Sequence, residues 1–95
     1  MRKITVIKPD EAFLRARAVR NWPVWESPVA QFDWQYGEDE ACLFLEGKAV
    51  VSWPSGSATI AAGDFVVFPK SLSCRWEVLE PVKKHYKSGI FVEAE

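Results

Sequence analysis

Short apolar runs alternate with turn signals along the chain, and each run has the length of a β-strand rather than of a helix. Strands are predicted at residues 3–8, 32–36, 41–45, 49–53, 58–61, 65–68, 74–78 and 82–92. Residues 32–36 show the alternation of aromatic and polar side chains that is typical of a half-buried strand. Turns are expected at Glu46-Gly47, Pro54-Ser55-Gly56 and 62–64, and Pro81 is expected to break the last run.

One short helix is expected near the N-terminus. The Asp10 side chain is placed to accept a hydrogen bond from the first turn of a helix that begins at Glu11. The pattern therefore predicts an all-β sandwich or barrel with a short N-terminal helix. A jelly-roll barrel, an immunoglobulin-like sandwich and a smaller barrel all fit it.

Composition narrows the class of protein. The 95 residues are 48% hydrophobic and 14% aromatic, with five tryptophans, so a dense core is expected in one domain. The net charge of −1 argues against nucleic acid or an anionic membrane as the main partner. The N-terminal residues lack the apolar stretch of a signal peptide, which predicts a cytoplasmic protein. Cys42 and Cys74 are too few for a disulfide scaffold.

Two sets of residues, each with a fixed spacing along the chain, indicate a protein family. Gly47 lies seven positions after Glu40, Pro69 lies six after Gly63, and Cys74 lies five further on. These spacings resemble the two motifs of the cupin family. The strings WPVWE, CLFLEGK, GDFVVFPK and CRW are similar to the short single-domain cupins classed with ureidoglycine aminohydrolase-like proteins. The resemblance implies a small RmlC-like jelly-roll barrel, a single cupin domain over residues 1–95 and a homodimer.

The resemblance also implies which residues would surround a metal ion. In metal-binding cupins the two motifs supply histidines and a glutamate, a set that suits a divalent transition metal. In this chain the histidine positions are Trp34, Tyr36 and Cys74, and only Glu40 keeps its ligand type. The one histidine, His85, lies outside both motifs. We therefore expect no metal and no cofactor.

Strand alternation predicts what lies inside the barrel instead. Residues two apart on a strand share a face. If Glu40 faces inward, as the resemblance implies, the cavity wall consists of Trp34, Tyr36, Glu40, Cys42, Cys74 and Trp76.

Three functions remain open at this point. The missing histidines favour a metal-free barrel that binds a small molecule between these side chains. The first alternative is an enzyme acting on a small metabolite, (S)-ureidoglycine aminohydrolase-like or other, with Glu40 as general acid/base and Tyr36 or Cys74 assisting. The second is a structural or interaction module whose barrel is filled. Whether the protein is an enzyme is left undecided.

Individual side chains keep a purely structural interpretation as well. Glu40 is expected either to bond Tyr36, a lysine or an arginine, or to act as acid/base. Free cysteines most often behave as inert, buried hydrophobic groups. His85 is expected on a solvated basic strand, or else at the barrel mouth or a dimer contact.

Overall fold

Seven strands, one α-helix and one turn of 3₁₀ helix make up residues 4–89, the part of the chain that the computed structural model describes. In chain order the elements are β1 (Thr5–Ile7), α1 (Glu11–Ala16), the 3₁₀ turn (Val19–Asn21), β2 (Val24–Ser27), β3 (Ala30–Gln35), β4 (Glu40–Trp53), β5 (Gly56–Ala61), β6 (Phe65–Phe68) and β7 (Ser73–Ser88). The all-β fold predicted from the sequence, with its short N-terminal helix, is confirmed.

The two longest strands, β4 and β7, form the centre of the sheet. They pair with each other, and the strand order is β1-β6-β4-β7-β2, with β3 also on β7 and β5 also on β4. All of these pairings are antiparallel. Because each long strand pairs with different neighbours along its length, the sheet curls into a small barrel.

The chain passes straight through two of the expected breaks. β4 continues through Glu46-Gly47 and β7 continues through Pro81, so the predicted turn and the predicted break are both wrong. The pairing register shifts between Phe44 and Ala49, which marks an irregularity of the β-bulge type. Proline is tolerated at such a position because the ladder does not need its missing N–H. Residues 90–92 of the predicted last strand lie outside the described residues.

Gly47 is required where the backbones of β4 and β7 approach each other closely. Its φ is +93°, in the region that favours glycine, and an added Cβ would lie 2.2 Å from the carbonyl oxygen of Pro81. Glycine here allows two strand backbones to approach closely. The local sequence Glu46-Gly47 does not distinguish this role of glycine from its role in a turn.

The N-terminal segment packs on the outside of the barrel. The Phe13 N–H donates to Asp10 Oδ1 at 2.8 Å, so Asp10 caps α1 as predicted. Leu14 of the helix is buried and contributes to the outer cluster. Within residues 4–89, no helix has the length and hydropathy needed to cross a membrane.

Two groups of buried side chains lie on the two faces of the sheet. The interior cluster lies inside the barrel and contains Tyr36, Cys42, Phe44, Ala49, Val51, Ile60, Val66, Phe68, Leu72, Cys74, Trp76, Val78 and Val82. The outer cluster lies beneath the helix and contains Leu14, Val19, Trp22, Ala41, Leu43, Phe65 and Val67. Successive residues of β4 and β6 alternate between the two clusters, as the two-residue period of a strand requires.

Candidate ligand-binding site

A cavity of about 610 Å³ opens into the barrel interior. Its lining consists of Trp25, Phe32, Asp33, Trp34, Tyr36, Glu40, Trp76, Lys84, Tyr86 and Ser88. The Trp34 side chain at the rim is 53% exposed, whereas Trp76 deeper inside is 2% exposed. The cavity therefore runs from solvent into the core.

Three aromatic rings form one wall. Phe32 and Trp76 lie directly opposite each other on β3 and β7, and their rings are stacked at 6.0 Å with 8° between the planes. Trp25, on β2, meets both rings at steep angles, 6.3 Å from Phe32 and 6.1 Å from Trp76. Phe44 stacks against Trp76 at 6.1 Å. Because these contacts come from four strands, the wall is held in place by the sheet itself.

An ion pair lies next to this wall. Lys84 Nζ is 3.2 Å from Glu40 Oε2, and the two side chains are 6% and 15% exposed. The ammonium also lies 4.8 Å from the ring centre of Trp76 and 5.0 Å from that of Trp25, within the range of cation–π attraction. The carboxylate and the ring faces together compensate the burial of the lysine charge.

The structure brings together four of the six side chains predicted to form the cavity wall. Trp34, Tyr36, Glu40 and Trp76 all line the cavity. Cys42 lies beneath it, fully buried, with its Sγ 3.9 Å from Lys84 Nζ.

The sixth predicted wall residue, Cys74, lines a different space. It borders a surface groove of about 580 Å³ shared with Trp34, Trp53 and Arg75. Its thiol donates to the backbone carbonyl of Trp34, with 3.6 Å between Sγ and O. Both cysteines are free thiols.

A comparison with known protein families identifies the family of this barrel. The sequence profile of the EutQ-like cupin domain matches residues 14–86 of the chain. The chain belongs to the EutQ-like cupin family.

Solved structures of similar proteins agree with this assignment. A DUF861 family protein from Thermotoga maritima is 46% identical to this EutQ-like cupin, with a TM-score of 0.88 over 90% of this chain and 99% of that one. A putative ethanolamine utilization protein Q from Salmonella typhimurium is 26% identical, with a TM-score of 0.64 over 70% of this chain and 54% of that one. A protein of unknown function (DUF1255) from Acidithiobacillus ferrooxidans is 25% identical, with a TM-score of 0.63 over 66% of this chain and 61% of that one.

These matches confirm the cupin barrel that the motif spacings predicted. The narrower assignment to the ureidoglycine aminohydrolase-like group stays a prediction. A comparison with curated proteins finds no significant match.

The donor set of this EutQ-like cupin does not fit a divalent metal. Trp34 and Tyr36 stand at two of the positions where metal-binding cupins carry histidine, and Glu40 already accepts from the Lys84 ammonium. Among residues 4–89, no three side chains of His, Cys, Asp or Glu converge in a way that could hold an ion. The positive charge inside this barrel is supplied by a lysine.

Burial keeps the other polar side chains of the interior neutral. Burial, followed by the effects of Cys42 and Glu40, raises the pKa of Tyr36 far above its usual value. Burial likewise raises the pKa of Cys42 and that of Cys74 to about 11 each. At neutral pH Tyr36 is therefore a neutral phenol that can donate a hydrogen bond, and the two cysteines are neutral thiols that donate only weakly.

Lys84 is the most consequential of the cavity residues that sequence reasoning missed, because it supplies the partner of Glu40. Residues 83–87 are rich in lysine, so the sequence favours a solvated basic strand there. The available signal was alternation, since Val82, Lys84 and Tyr86 share a face of β7 and Val82 is buried in the interior cluster.

His85 points to the opposite face of β7. Its Nδ1 lies 2.9 Å from the backbone carbonyl oxygen of Trp22, an arrangement in which the ring N–H donates. It ties β7 to the outer segment and is not part of the cavity lining.

Proposed function

We propose that this EutQ-like cupin binds a small organic molecule in the barrel cavity without a metal ion. The supporting observation is a cavity of about 610 Å³ that has aromatic walls and a single buried ion pair. Small-molecule sites are usually cavities of roughly 300–1,000 Å³ in which apolar walls surround a few convergent polar groups. The volume and the lining both match that description.

The position of the rings supports binding over simple core filling. Trp76 and Phe44 fill the deeper interior, but Trp34 stands half in water at the rim. A flat ligand lying against the Trp34 indole would remove a large apolar area from water. The exposed ring therefore favours an open site.

A cavity-blocking variant tests the proposal. Ser88 lines the mouth and is exposed, so Ser88→Trp should fill it, whereas Lys87→Trp on the opposite face of the same strand should not. A metabolite library would be screened by ligand-detected NMR against the parent protein and both variants. We expect ligands that bind the parent and Lys87→Trp but not Ser88→Trp. Equal binding to all three would overturn the proposal.

A catalytic role is the second candidate, and the Glu40–Lys84 contact inside the cavity is the observation that favours it. Glu40 would act as general acid/base, while Tyr36 would assist as a neutral hydrogen-bond donor. Cys74 is the weaker assistant because it lines the neighbouring groove. Conversion of bound ligands would be followed by mass spectrometry. Glu40→Gln should abolish turnover while largely sparing the binding of apolar molecules to the aromatic wall.

We also propose a homodimer in the cytoplasm, as the family resemblance implies. Small cores gain from an extended interface, because the buried fraction of the surface rises with size. Light scattering at micromolar concentration measures the mass directly, and a stable monomer of 10.8 kDa would contradict the dimer.

The name of the Salmonella relative links that protein to ethanolamine utilization. The match spans about half of that protein at 26% identity, so the link reaches this chain only as a hypothesis. Ethanolamine carries a positive charge at neutral pH, so it would have to displace the Lys84 ammonium from Glu40 to find a partner in the cavity. We therefore propose a different class of ligand.

A further inference from the structure

The charged groups of the cavity are already paired. Lys84 contacts Glu40 at 3.2 Å, and Asp33 at the rim contacts Arg75 at 3.1 Å. A cationic ligand entering the cavity would meet the Lys84 ammonium, and an anionic one would meet the carboxylate of Glu40. Either would have to displace an existing partner at a desolvation cost. The charge pattern favours an uncharged ligand.

The aromatic wall favours a flat one. Phe32 and Trp76 present parallel planes, and Trp25 stands at 65–69° to them. Aromatic side chains attract rings in offset-stacked or edge-to-face geometry. A planar ring can lie against one of these faces while its edge meets another, which a branched or flexible molecule cannot do as well.

The ion pair adds a directional requirement. The ammonium of Lys84 is a hydrogen-bond donor and the carboxylate of Glu40 is an acceptor, and the two heavy atoms are 3.2 Å apart. A cyclic amide has a carbonyl oxygen and an N–H side by side on one edge. The carbonyl would accept from Lys84 while the N–H donates to Glu40, so the edge matches the pair without disturbing its charge balance.

We propose that the cavity selects a flat, uncharged ring that carries an N–H beside a carbonyl group, with Lys84 and Glu40 reading that edge. The inference rests on the proposed binding function and names the class of ligand for the same site.

A matched set of ring probes tests this choice. The probe 2-pyridone carries the proposed edge, and N-methyl-2-pyridone has nearly the same shape but lacks the N–H. Toluene lacks both polar groups, benzoate adds a negative charge, and benzylammonium and ethanolamine each carry a positive one. Dissociation constants would come from shifts of the Trp25 and Trp76 indole N–H signals in NMR titrations up to about 10 mM.

We expect 2-pyridone to bind at least roughly tenfold more tightly than N-methyl-2-pyridone. The methylated probe has no N–H, so it loses the hydrogen bond to the charged Glu40 carboxylate. The charged probes should bind more weakly than 2-pyridone. The control is the double variant Glu40→Leu/Lys84→Met, in which the buried charges leave together, so the fold should survive. In that variant the preference for 2-pyridone should disappear while toluene still binds.

The other outcomes separate the two proposals. If the two pyridones bind equally, or a charged probe binds best, the ligand class is wrong and the binding function stands. A preference that persists in the double variant also overturns the assignment to Lys84 and Glu40. If none of the rings shifts the two indole signals, both the ligand class and the cavity's binding function are overturned.

Discussion

Lys84 and Glu40 place two opposite charges among aromatic rings, and each depends on the other. Lys84→Met would leave the carboxylate buried without its partner, so we expect the free energy of unfolding to fall by about 3 kcal/mol. Glu40→Leu/Lys84→Met should stay within about 1 kcal/mol of the parent, because replacing a whole buried pair by apolar groups is often neutral. Urea denaturation followed by circular dichroism measures both. An equal loss in the single and double variants would contradict the pairing.

The two thiols differ from ordinary surface cysteines in their protonation. Burial raises the pKa of Cys42 and of Cys74 from 9.0 to about 11, so at pH 8 the native thiolate fraction is about a hundredfold below that of the unfolded chain. We expect iodoacetamide to modify the native protein at least that much more slowly than the urea-unfolded protein. Cys74→Ser would isolate Cys42 in the same assay. Rapid native alkylation would show that a thiolate is stabilised.

The same shift has a consequence for stability. Because the folded pKa is raised, the unfolded chain loses these protons first. The contribution of the thiols to stability is therefore complete below pH 9 and is lost as the pH rises towards 11.

The close approach of β4 to β7 depends on one glycine. A side chain at Gly47 would overlap the backbone of Pro81 and force a positive φ on a residue with a Cβ. We expect Gly47→Ala to destabilise the protein by about 3 kcal/mol or more.

Gly63→Ala is the matched control for this substitution. Gly63 has a φ of +95° but no neighbour within 4 Å of an added Cβ, so only the backbone strain of about 1 kcal/mol remains. Thermal unfolding of the two variants measures the difference. Equal effects would mean that the close approach to Pro81 is unimportant.

Local periodicity accounts for the parts of the site that the sequence revealed. Tyr36, Glu40 and Trp76 could be assigned to the interior because the cupin resemblance implies an inward Glu40, and alternation within a strand needs no knowledge of its partner. The continuity of β4 and β7 could not be predicted. Glycine and proline are common both in turns and in β-bulges, so their presence in the sequence does not separate the two structures. Only the contact between Gly47 and Pro81 across the sheet shows that the strands continue.

The other cavity residues depend on how distant strands pair in the folded sheet. Trp25 and Phe32 reach the cavity because β2 and β3 both pair with β7 at different points along its length, a fact that no short window of sequence contains. Lys84 was hidden by its basic neighbours, and the carboxylate that stabilises it lies 44 positions earlier in the chain.

The barrel as a whole is held by strands that run its full length. β4 and β7 pair from Glu40 to Ser52 and connect the cavity to the far end of the interior cluster. The radius of gyration is 12.3 Å, close to the roughly 12 Å expected for a compact chain of this length. Opening one end would therefore strain the strands that form the other.

We accordingly expect one cooperative unfolding transition. Tryptophan fluorescence reports on both clusters, since Trp22 lies in the outer one and Trp76 in the interior one, while far-ultraviolet circular dichroism reports on the strands. The two signals should give coincident curves in urea. Separate midpoints would show that the outer cluster melts independently of the barrel.

If the site works without a metal ion, as proposed, the lysine inside the barrel makes it independent of the supply of inorganic ions. A divalent ion must be acquired after synthesis and competes with other metals according to availability, whereas a side chain is present in every folded copy and no chelator removes it. A lysine in place of a metal ion has a chemical limit. A single ammonium polarises oxygen less strongly than a divalent ion does, and it does not generate a bound hydroxide. Such a tethered charge is suited to holding a molecule in place rather than to activating water against it.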